Sequence, residues 1–573
     1  MSTSVIGPAS LSLESIFAPR SIAVVGASPK GGYGLTTLHN LEALSYDGRI
    51  SVVHPRLDSV GGYRAVPSLR ELDHVPDSLA VAVPAAVVPG VLADAADLGV
   101  GGAVVYASGF GELGPEGQRL QAEALAAARG RTAVVGPNCL GLVNYRQRSA
   151  QWGITMPYEH ARREGVVALA AQSGNVALTT MMSGRMPALA YAASLGNQAA
   201  VDVADCLEFY LSDPTVRVVA LVIEGLQDIE RFRRLALAAA ERDVAIVALK
   251  IGRSRKGEAA AVAHTGSLVG SDAAYTALFE QTGVIRAKDL DEMVATCALL
   301  ANSRRLSGTS LGLFASSGGE CGLLADLVED HGLELPEIDP DSEAALRELL
   351  PPFGYVTNPF DLTAGGWGQA DVYQAAARHL AGVPGVDLVG FVGDAATFAG
   401  SLESARWPEM VRGAGAAAAA TDVPVALITT ATDTHPDLPA LCEEHGVVML
   451  AGLTPALRAL SLVGERAATI RRLCEDVRGP RRESRPTGVA DEARSLLRGA
   501  AEMLSETQSK ALLETYGIAT PAGGVARTGE EAAEIAERIG YPVVCKVGSS
   551  PLPGPLPACR RSSCNGSTSC WSV

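Results

Sequence analysis

His264 lies in a stretch of the chain whose residue types suit phosphate chemistry. Residues 263–272 are rich in glycine and hydroxyl side chains, and they precede a helix predicted over 273–281, with Ser271 or Asp272 as its N-cap. The backbone N–H groups and the dipole of a helix start attract phosphate, and histidine can be a covalent nucleophile. The segment therefore suggests a histidine that accepts a phosphoryl group. A loop histidine that only caps or hydrogen-bonds is the alternative that these residues leave open.

Two other segments could hold phosphate or orient this histidine. A buried strand predicted over 165–170 leads into a helix start formed by Ser173, Gly174 and Asn175, with Ser173 as the candidate cap. Glu224 comes directly after another buried strand, so its carboxylate should project from the carboxyl edge of the sheet. There it could accept the ring N–H of His264 and orient the ring. A solvated glutamate that begins a loop is the alternative.

The first part of the chain alternates strands and helices around a glycine-rich turn. A strand predicted over 21–26 runs into a turn that contains Gly26, Ala27, Ser28 and Lys30, and a helix follows over 35–44. Strands are predicted at 50–53, 79–83, 102–106 and 132–135, with helices beginning near 87 and 115. This alternation predicts a parallel, doubly wound sheet of Rossmann-like type.

The residues at the end of the second predicted strand limit which ligands this unit could bind. A nicotinamide site usually has an acidic residue there, whereas this chain has Arg56, and the glycine pattern is not a clean G-x-G-x-x-G. A phosphorylated nucleotide such as coenzyme A (CoA) is therefore favoured over NAD. Open loops at other strand ends contain Val83, Pro84 and Asn138, and ligands bind at that edge of such sheets. A glycine-tightened turn without a ligand is the alternative.

The composition excludes several classes of protein. The 573 residues are too many for one core and suggest about three or four domains. A net charge of −16 argues against a general nucleic-acid binder, because phosphate backbones need a positive surface. No apolar run reaches the roughly 20 residues of a membrane span and no secretory signal is present, so the cytoplasm is the expected location. Ten cysteines do not suggest a disulfide scaffold, and no strong metal-ligand spacing is present.

The same alternation continues through a second and a third unit. The third begins with a strand and a loop containing Gly318 and Gly319, which could simply allow close packing. A polar linker follows, then a capped helix from Ser505 to near Gly517, a strand predicted over 540–547, and a tail without helical or strand periodicity. The predicted divisions are 11–145, 149–301, 308–470, a linker at 475–495, 496–548, and an aberrant or disordered tail at 549–573.

Together these motifs resemble the NDP-forming acyl-CoA synthetases, of which ADP-forming acetate–CoA ligase is the usual example and succinyl-CoA synthetase a more distant relative. The resemblance covers residues 15 to about 548. It is carried by residues 24–28, 135–141, 172–175, 223–225 and 264–268, which occur in the family's order. It implies an α/β protein with a Rossmann-like CoA-binding domain, two flavodoxin-like doubly wound domains and an incomplete ATP-grasp fragment.

The resemblance also implies site residues. His264 matches the histidine that is transiently phosphorylated, and Glu224 matches the acid that steadies it. Phosphate is expected at Ser173, Gly174, Asn175, Thr265 and Gly266. CoA is expected at Gly26, Ala27, Ser28, Lys30, Arg56, Val83, Pro84 and Asn138. The implied reaction is acyl-CoA + ADP + phosphate ⇌ acid + CoA + ATP through acyl phosphate and phosphohistidine, with Mg²⁺ at the nucleotide and a small carboxylic acid as substrate.

The sequence departs from the family pattern near its C-terminus. Residues 507–546 resemble the opening of the ATP-grasp domain, with Lys546 in the place of a nucleotide-contacting lysine. The change of character after Gly548 resembles a frameshift or premature end. We therefore expect CoA binding and the acyl-phosphate and phosphohistidine half reactions, with an ATP-grasp partner subunit needed for the full cycle. A homo- or hetero-oligomer is expected. A non-catalytic CoA-binding or regulatory protein is the alternative, and an NAD-dependent oxidoreductase is disfavoured.

Overall fold

The computed structural model describes residues 13–254, 256–257, 271–302, 306–363, 365–394, 406–478, 489–497 and 504–544. The chain divides into two compact units, residues 1–473 and 474–573. The first contains three sheets. Among the described helices, none combines the length and the apolar character needed to cross a bilayer.

The first sheet has the strand order of a Rossmann fold. Its strands are β1 (Ser21–Val25), β2 (Arg49–Val53), β3 (Ser59–Val60), β4 (Tyr63–Val66), β5 (Ser78–Val81), β6 (Gly102–Val105) and β7 (Ala133–Val135). They are arranged β3-β4-β2-β1-β5-β6-β7, and only the β3–β4 pair is antiparallel. The chain moves to one side from β1 to β2 and returns to the other at β5. Ligands of such sheets bind at this switch point, beyond the carboxyl ends of the strands.

The helices of the first sheet are α1 (Glu14–Phe17), α2 (Tyr33–Ala43), α3 (Val88–Leu98) and α4 (Pro115–Ala128), with short 3₁₀ helices at Leu69–Glu71, Ala85–Val87 and Gly111–Leu113. Strands β5 and β6 are buried along their whole length. This burial explains their nearly uninterrupted apolar sequences, because parallel strands are covered on both faces.

The second sheet is flavodoxin-like with an added hairpin. Its strands are β8 (Gly141–Asn144), β9 (Ser149–Trp152), β10 (Val167–Ala171), β11 (Leu189–Ser194), β12 (Val218–Ile223), β13 (Ala245–Lys250) and β14 (Ile285–Ala287). The order is β14-β13-β12-β10-β11-β8-β9, and the switch point lies between β10 and β12. Its helices are α5 (Gly174–Met181), α6 (Val203–Ser212), α7 (Ile229–Glu241), α8 (Asp272–Thr282) and α9 (Leu290–Ala301), with a 3₁₀ helix at Glu159–Arg162.

The hairpin β8–β9 lies across the boundary predicted near residue 145. Strand β8 pairs antiparallel with β11, so the chain joins the second sheet a few residues earlier than predicted. Each of the two strands has four residues, too few to show a clear alternation of apolar and polar side chains. The pairing with β11 therefore depends on tertiary structure.

The third sheet is parallel and also flavodoxin-like. Its strands are β15 (Leu311–Ala315), β16 (Phe360–Asp361), β17 (Leu388–Val392), β18 (Val425–Thr429) and β19 (Val448–Ala451), in the order β16-β15-β17-β18-β19. Its helices are α10 (Gly318–Asp330), α11 (Pro340–Arg347), α12 (Ala370–Gly382), α13 (Trp407–Ala419), α14 (Leu438–Glu444) and α15 (Leu453–Arg478). The predicted doubly wound α/β fold is confirmed.

The described part of the second unit contains the helices α16 (Val489–Leu497), α17 (Glu506–Thr515) and α18 (Gly529–Ile539). Helix α17 begins with the predicted cap, because the Ser505 hydroxyl accepts from the Gln508 N–H. The strand predicted from residue 540 is wrong over its described part: residues 541–544 form none, and Val544 is 80% exposed. A strand needs a hydrogen-bonding neighbour, and residues 489–497 and 504–544 provide none.

Candidate functional site

The turn after β1 brings two strand ends into contact at the first switch point. Gly26 has a φ of +89°, and a Cβ built on it would lie 2.6 Å from the main-chain oxygen of Ala82. Its N–H donates to the Val53 carbonyl, 3.0 Å away, at the end of β2. Only glycine allows this approach without strain. The turn therefore lies directly beside Val83 and Pro84, which follow β5.

The start of α2 leaves room and hydrogen-bond donors for a phosphorylated ligand. Ser28 accepts from the Lys30 N–H, and the Lys30 side chain is exposed. Gly32 is the N-cap, with a φ of +96° and no side-chain cap bond. A Cβ on Gly31 or Gly32 would meet no atom within 4 Å. Because the helix start lacks a side-chain cap and the glycines before it have open space beside an exposed lysine, these residues fit CoA phosphates.

The loops after β5, β6 and β7 continue this edge of the sheet. A Cβ on Gly109 would lie 3.3 Å from the Ala85 methyl group, which places the β6 loop against the β5 loop. Asn138, with a φ of +59°, donates its N–H to the Ala107 carbonyl at 2.8 Å. Burial raises the pKa of the neighbouring Cys139 thiol to about 12, so this cysteine is not a nucleophile.

A polar cluster that the sequence analysis missed links the β6 and β7 loops to the second sheet. The Glu112 carboxylate accepts from the Gly109 N–H at 2.6 Å and from the Asn197 amide at 2.5 Å. Asn138 donates to the same Asn197 side chain at 3.4 Å. Burial opposes ionisation, but these hydrogen bonds hold the pKa of Glu112 below its ordinary value. The cluster is assembled from residues far apart in sequence, so no local pattern identifies it.

The predicted phosphate helix begins against the Asn138 loop. Ser173 is the N-cap of α5, and its hydroxyl accepts from the Val176 N–H. A Cβ on Gly174 would lie 2.8 Å from Leu140 Cγ, and one on Gly196 would lie 2.2 Å from the Asn138 carbonyl oxygen. The exposed Asn175 follows in the first turn. The loop after β7 and the start of α5 are therefore in direct contact.

Gln172 connects that helix start to Glu224 at the second switch point. Its side-chain amide donates to the Gly225 carbonyl at 2.6 Å, and its oxygen accepts from the N–H groups of Gly225 and Glu224. Gln172 and Glu224 are both buried, at 3% and 6% exposed. Glu224 follows β12 at the predicted edge of the sheet. Gln172 begins the motif at residues 172–175, but nothing in the local sequence indicates this role.

Lys250 is a buried cation beside Glu224. It is the last residue of β13, is 4% exposed and lies in register with Ile223. Its ammonium donates to the Glu224 main-chain carbonyl at 2.9 Å. The sequence does contain a signal for this residue, because a lysine ends an otherwise apolar strand.

The structure thus joins most of the predicted site residues along one edge. The turn at Gly26 lies against Val83, the loops after β5, β6 and β7 contact one another, Leu140 lies against the α5 start, and Gln172 beside that start binds the main chain at Glu224. Arg56 is exposed three residues beyond the end of β2, and its described hydrogen bond is through its main chain to His54. The remaining predicted residues, His264, Thr265, Gly266 and Lys546, lie outside the described residues.

Family models cover most of the chain in the same order. A CoA binding domain matches residues 20–145, a succinyl-CoA ligase like flavodoxin domain matches 164–300, and a ligase-CoA domain matches 312–390. An ATP-grasp domain matches 495–554.

Relatives of known type extend the similarity. Acetate–CoA ligase (ADP-forming) I of Archaeoglobus fulgidus is 30% identical over 94% of this chain and 75% of its own. The chain belongs to the ADP-forming acetate–CoA ligase family. The subunit alpha of acetate–CoA ligase (ADP-forming) I from Pyrococcus furiosus is 33% identical over 65% of this chain and 81% of its own. Members of this family thus include separate alpha subunits.

A solved structure of the family has the same fold. The dinucleotide forming acetyl-coenzyme A synthetase 1 of Ca. Korarchaeum cryptofilum, in complex with phosphate and ADP, superposes with a TM-score of 0.71. It is 26% identical and covers 82% of this chain and 99% of its own. The predicted family, fold class and ligase type are confirmed. Among the described residues, no group of three metal-ligating side chains occurs.

Proposed function

We propose that this protein is an ADP-forming acid–CoA ligase that carries a phosphoryl group on His264. Phosphate attacks the acyl-CoA carbonyl, the C–S bond breaks, and acyl phosphate and CoA form. His264 then attacks the phosphorus, which releases the carboxylate of a small acid. Transfer from phosphohistidine to ADP forms ATP and restores the histidine. In each step one bond to carbon or phosphorus forms as another breaks, so no oxidant or reductant is required.

The contact between Gly174 and Leu140 is the observation that supports this proposal most directly. It places the start of α5, a phosphate-binding type of structure, against the loop that ends the CoA-binding sheet. An acyl group delivered at that loop would therefore meet phosphate held by Ser173, Gly174 and Asn175. A protein that only bound CoA would not need this second helix start beside the edge of the first sheet where CoA is expected.

The chain's own residues have separate tasks in this scheme. The uncapped start of α2 and the exposed Lys30 bind CoA phosphates. The α5 start stabilises the charge that develops on the transferred phosphoryl group. Glu224, held by the Gln172 amide, accepts the ring N–H of His264 and so orients the ring for attack.

Transfer of the phosphoryl group between the histidine and the nucleotide would take place in an ATP-grasp domain. Lys546 would contact the nucleotide phosphates, and an ATP-grasp partner subunit would take part in this step. Mg²⁺ bound with the nucleotide would neutralise phosphate charge during transfer. The acyl-phosphate and phosphohistidine half reactions require only residues before 475.

Labelling of the intact protein tests the proposal. Incubation with acetyl-CoA and radioactive phosphate, or with labelled acetyl phosphate, should give an acid-labile, base-stable phosphoryl group on the protein. His264→Ala should abolish the label, whereas His331→Ala, a change at the end of α10, should retain it. CoA binding, measured by calorimetry, should persist in both variants. Retained CoA binding without any label on the wild-type protein would contradict the proposal and favour a non-catalytic CoA-binding protein.

A further inference from the structure

Lys250 places a full positive charge inside the second sheet, where charges are costly. An ammonium taken out of water must recover its hydration through hydrogen bonds or an opposing charge. Lys250 is 4% exposed and follows five apolar residues of β13 that are all buried. Such a residue is retained in an apolar strand only where its charge or its hydrogen bonds serve the surrounding structure.

The Lys250 ammonium donates to main-chain carbonyls at two places, one just after β12 and one just after β13. It donates to the carbonyl oxygen of Glu224 at 2.9 Å and to that of Ile251. Glu224 follows β12, and Ile251 is the first residue after β13, so one side chain joins the two strand ends. The main chain of Glu224 is thus held by Lys250 through its carbonyl and by Gln172 through its N–H.

Tyr275 extends this cluster to the far end of the segment that contains His264. Lys250 Nζ lies 4.7 Å from the centre of the Tyr275 ring, a cation–π distance. Tyr275 is in α8, and its hydroxyl accepts from the Leu226 N–H at 2.9 Å. Burial raises the pKa of Tyr275, so the phenol stays neutral. Lys250, before the segment, therefore contacts Tyr275 of the helix after it, and Tyr275 in turn is bonded to the main chain at Leu226.

A second pair fixes the same helix start to β14. Arg286 donates to the Asp272 carboxylate and to the Thr276 hydroxyl. The first turn of α8 is thereby attached to β14 on one side and to the Lys250 cluster on the other. Both ends of the segment between Lys250 and Asp272 are held at the edge of the second sheet.

We propose that Lys250 is a positioning residue for phosphoryl transfer: it holds the Glu224 main chain and, across Tyr275, the helix that ends the histidine segment. The assignment rests on the proposed function of His264 and Glu224. The fixed charge also favours anionic groups at this edge of the sheet. Lys250 acts through the Glu224 main chain and through the helix that follows the segment.

Three substitutions separate the contributions of this cluster. Lys250→Met keeps the unbranched chain except for its terminal ammonium and so removes the charge, and Lys250→Arg keeps the charge. Tyr275→Leu removes the ring but leaves the ammonium. Lys288→Met, at an exposed lysine of the same domain, is the matched control.

The rate of His264 phosphorylation from acetyl phosphate is the first readout. Lys250→Met should lower the rate constant at saturation at least about tenfold, because small displacements of positioned groups have large effects on rate. The half-saturating concentration should change less than the rate constant. Lys250→Arg should recover part of the loss, and Lys288→Met should match the wild type. A purely structural lysine would instead lower the unfolding temperature of Lys250→Met and leave its rate at 20 °C unchanged.

Hydrogen–deuterium exchange is the second readout, and it does not depend on phosphorylation. Lys250→Met and Tyr275→Leu should both speed exchange in peptides covering residues 224–227, since the Leu226 N–H is bonded to Tyr275. Exchange in β18 should stay unchanged. Unaltered exchange at 224–227 in both variants would overturn the proposal even if labelling slows. If the wild-type protein accepts no label, the proposed function fails, and exchange alone decides the role of Lys250.

Discussion

Gln172 shows how a residue without reactive chemistry determines the geometry of the site. Its amide satisfies three main-chain groups at the point where β10 and β12 end. A buried side chain that both donates and accepts can fix two loops at once, and leaving such groups unpaired is costly. The position of the Glu224 carboxylate therefore depends on this neutral neighbour as well as on Lys250.

His160 is buried for a structural purpose and should make stability depend on pH. Its Nδ1 accepts from the Leu189 N–H at 3.3 Å, so Nε2 carries the proton and donates to the Met181 carbonyl at 2.8 Å. The His160 ring thereby links the end of α5 to the start of β11 through these two bonds. Burial lowers the pKa of His160, because the charged ring would lose its hydration.

We expect the His160 contribution to be complete above about pH 6.5, the ordinary value for histidine, and to decline as the pH falls toward the lowered pKa. The unfolded chain takes up the proton first, so acid favours unfolding by up to about 1.4 kcal/mol per pH unit. His160→Gln, which can both donate and accept, should flatten the fall of the unfolding temperature between pH 7.5 and 5.0. His39→Gln, at an exposed histidine, should not. Equal slopes for the wild type and His160→Gln would refute this role.

Helix starts are the elements that give this molecule its candidate ligand sites. Those of α2 and α5 both follow buried parallel strands, and both are reached through glycine or serine. They differ in what surrounds them: the Gly31 and Gly32 positions face open space, whereas Gly174 packs against Leu140. The first arrangement leaves room for a ligand, and the second brings two loops together.

Gly174→Ala should disturb the contact between the two loops. Its Cβ would lie 2.8 Å from Leu140 Cγ, so the start of α5 must move or the leucine must change conformation, at a cost of about 1–3 kcal/mol. Labelling of His264 should slow while CoA binding persists. Gly322→Ala is the control, because its Cβ meets no atom within 4 Å in the middle of α10 and alanine there should stabilise by about 0.5–1 kcal/mol. Normal labelling in Gly174→Ala would argue against the proposed junction.

The parallel strands and their helices could be predicted from the sequence because each is continuous and strongly patterned. Strand β12 is six buried apolar residues, and α17 begins with a serine cap. The hairpin β8–β9 and strand β11 were not predicted, since their pairing depends on partners distant in the chain. The strand predicted at 540–547 fails over its described part for the same reason: valines there favour a strand, but the described residues 489–497 and 504–544 contain no neighbouring strand.

At the scale of the whole first unit, the second and third sheets share one hydrophobic core. A single cluster of buried side chains includes Val247 of β13, Met293 of α9, Leu313 of β15 and Leu450 of β19. Helix α9 therefore packs between two sheets that are separate in sequence. Such continuity couples the stability of the two domains, because loosening the shared helix exposes apolar surface on both.

Met293→Ala tests this coupling. Met293 is fully buried, so the cavity should cost about 2–5 kcal/mol. Scanning calorimetry should show the transitions of both domains moving to lower temperature together. Met182→Ala, at a methionine that is 65% exposed at the end of α5, should leave the transitions within about a degree, since exposed substitutions have small effects. Two transitions of which only one moves would show that the domains unfold independently.

The sequence by itself determined the fold class, the order of the domains and the motifs Gly26–Ser28, Ser173–Asn175 and Glu224. Each of these depends on local spacing: apolar runs for strands, small residues for turns, and polar side chains just beyond strand ends. Only the tertiary structure decided that Leu140 lies against the α5 start and that Glu112, Gln172 and Lys250 hold the loops. Those contacts join residues as many as 85 positions apart, and their hydrogen bonds form only after separate strands have packed side by side.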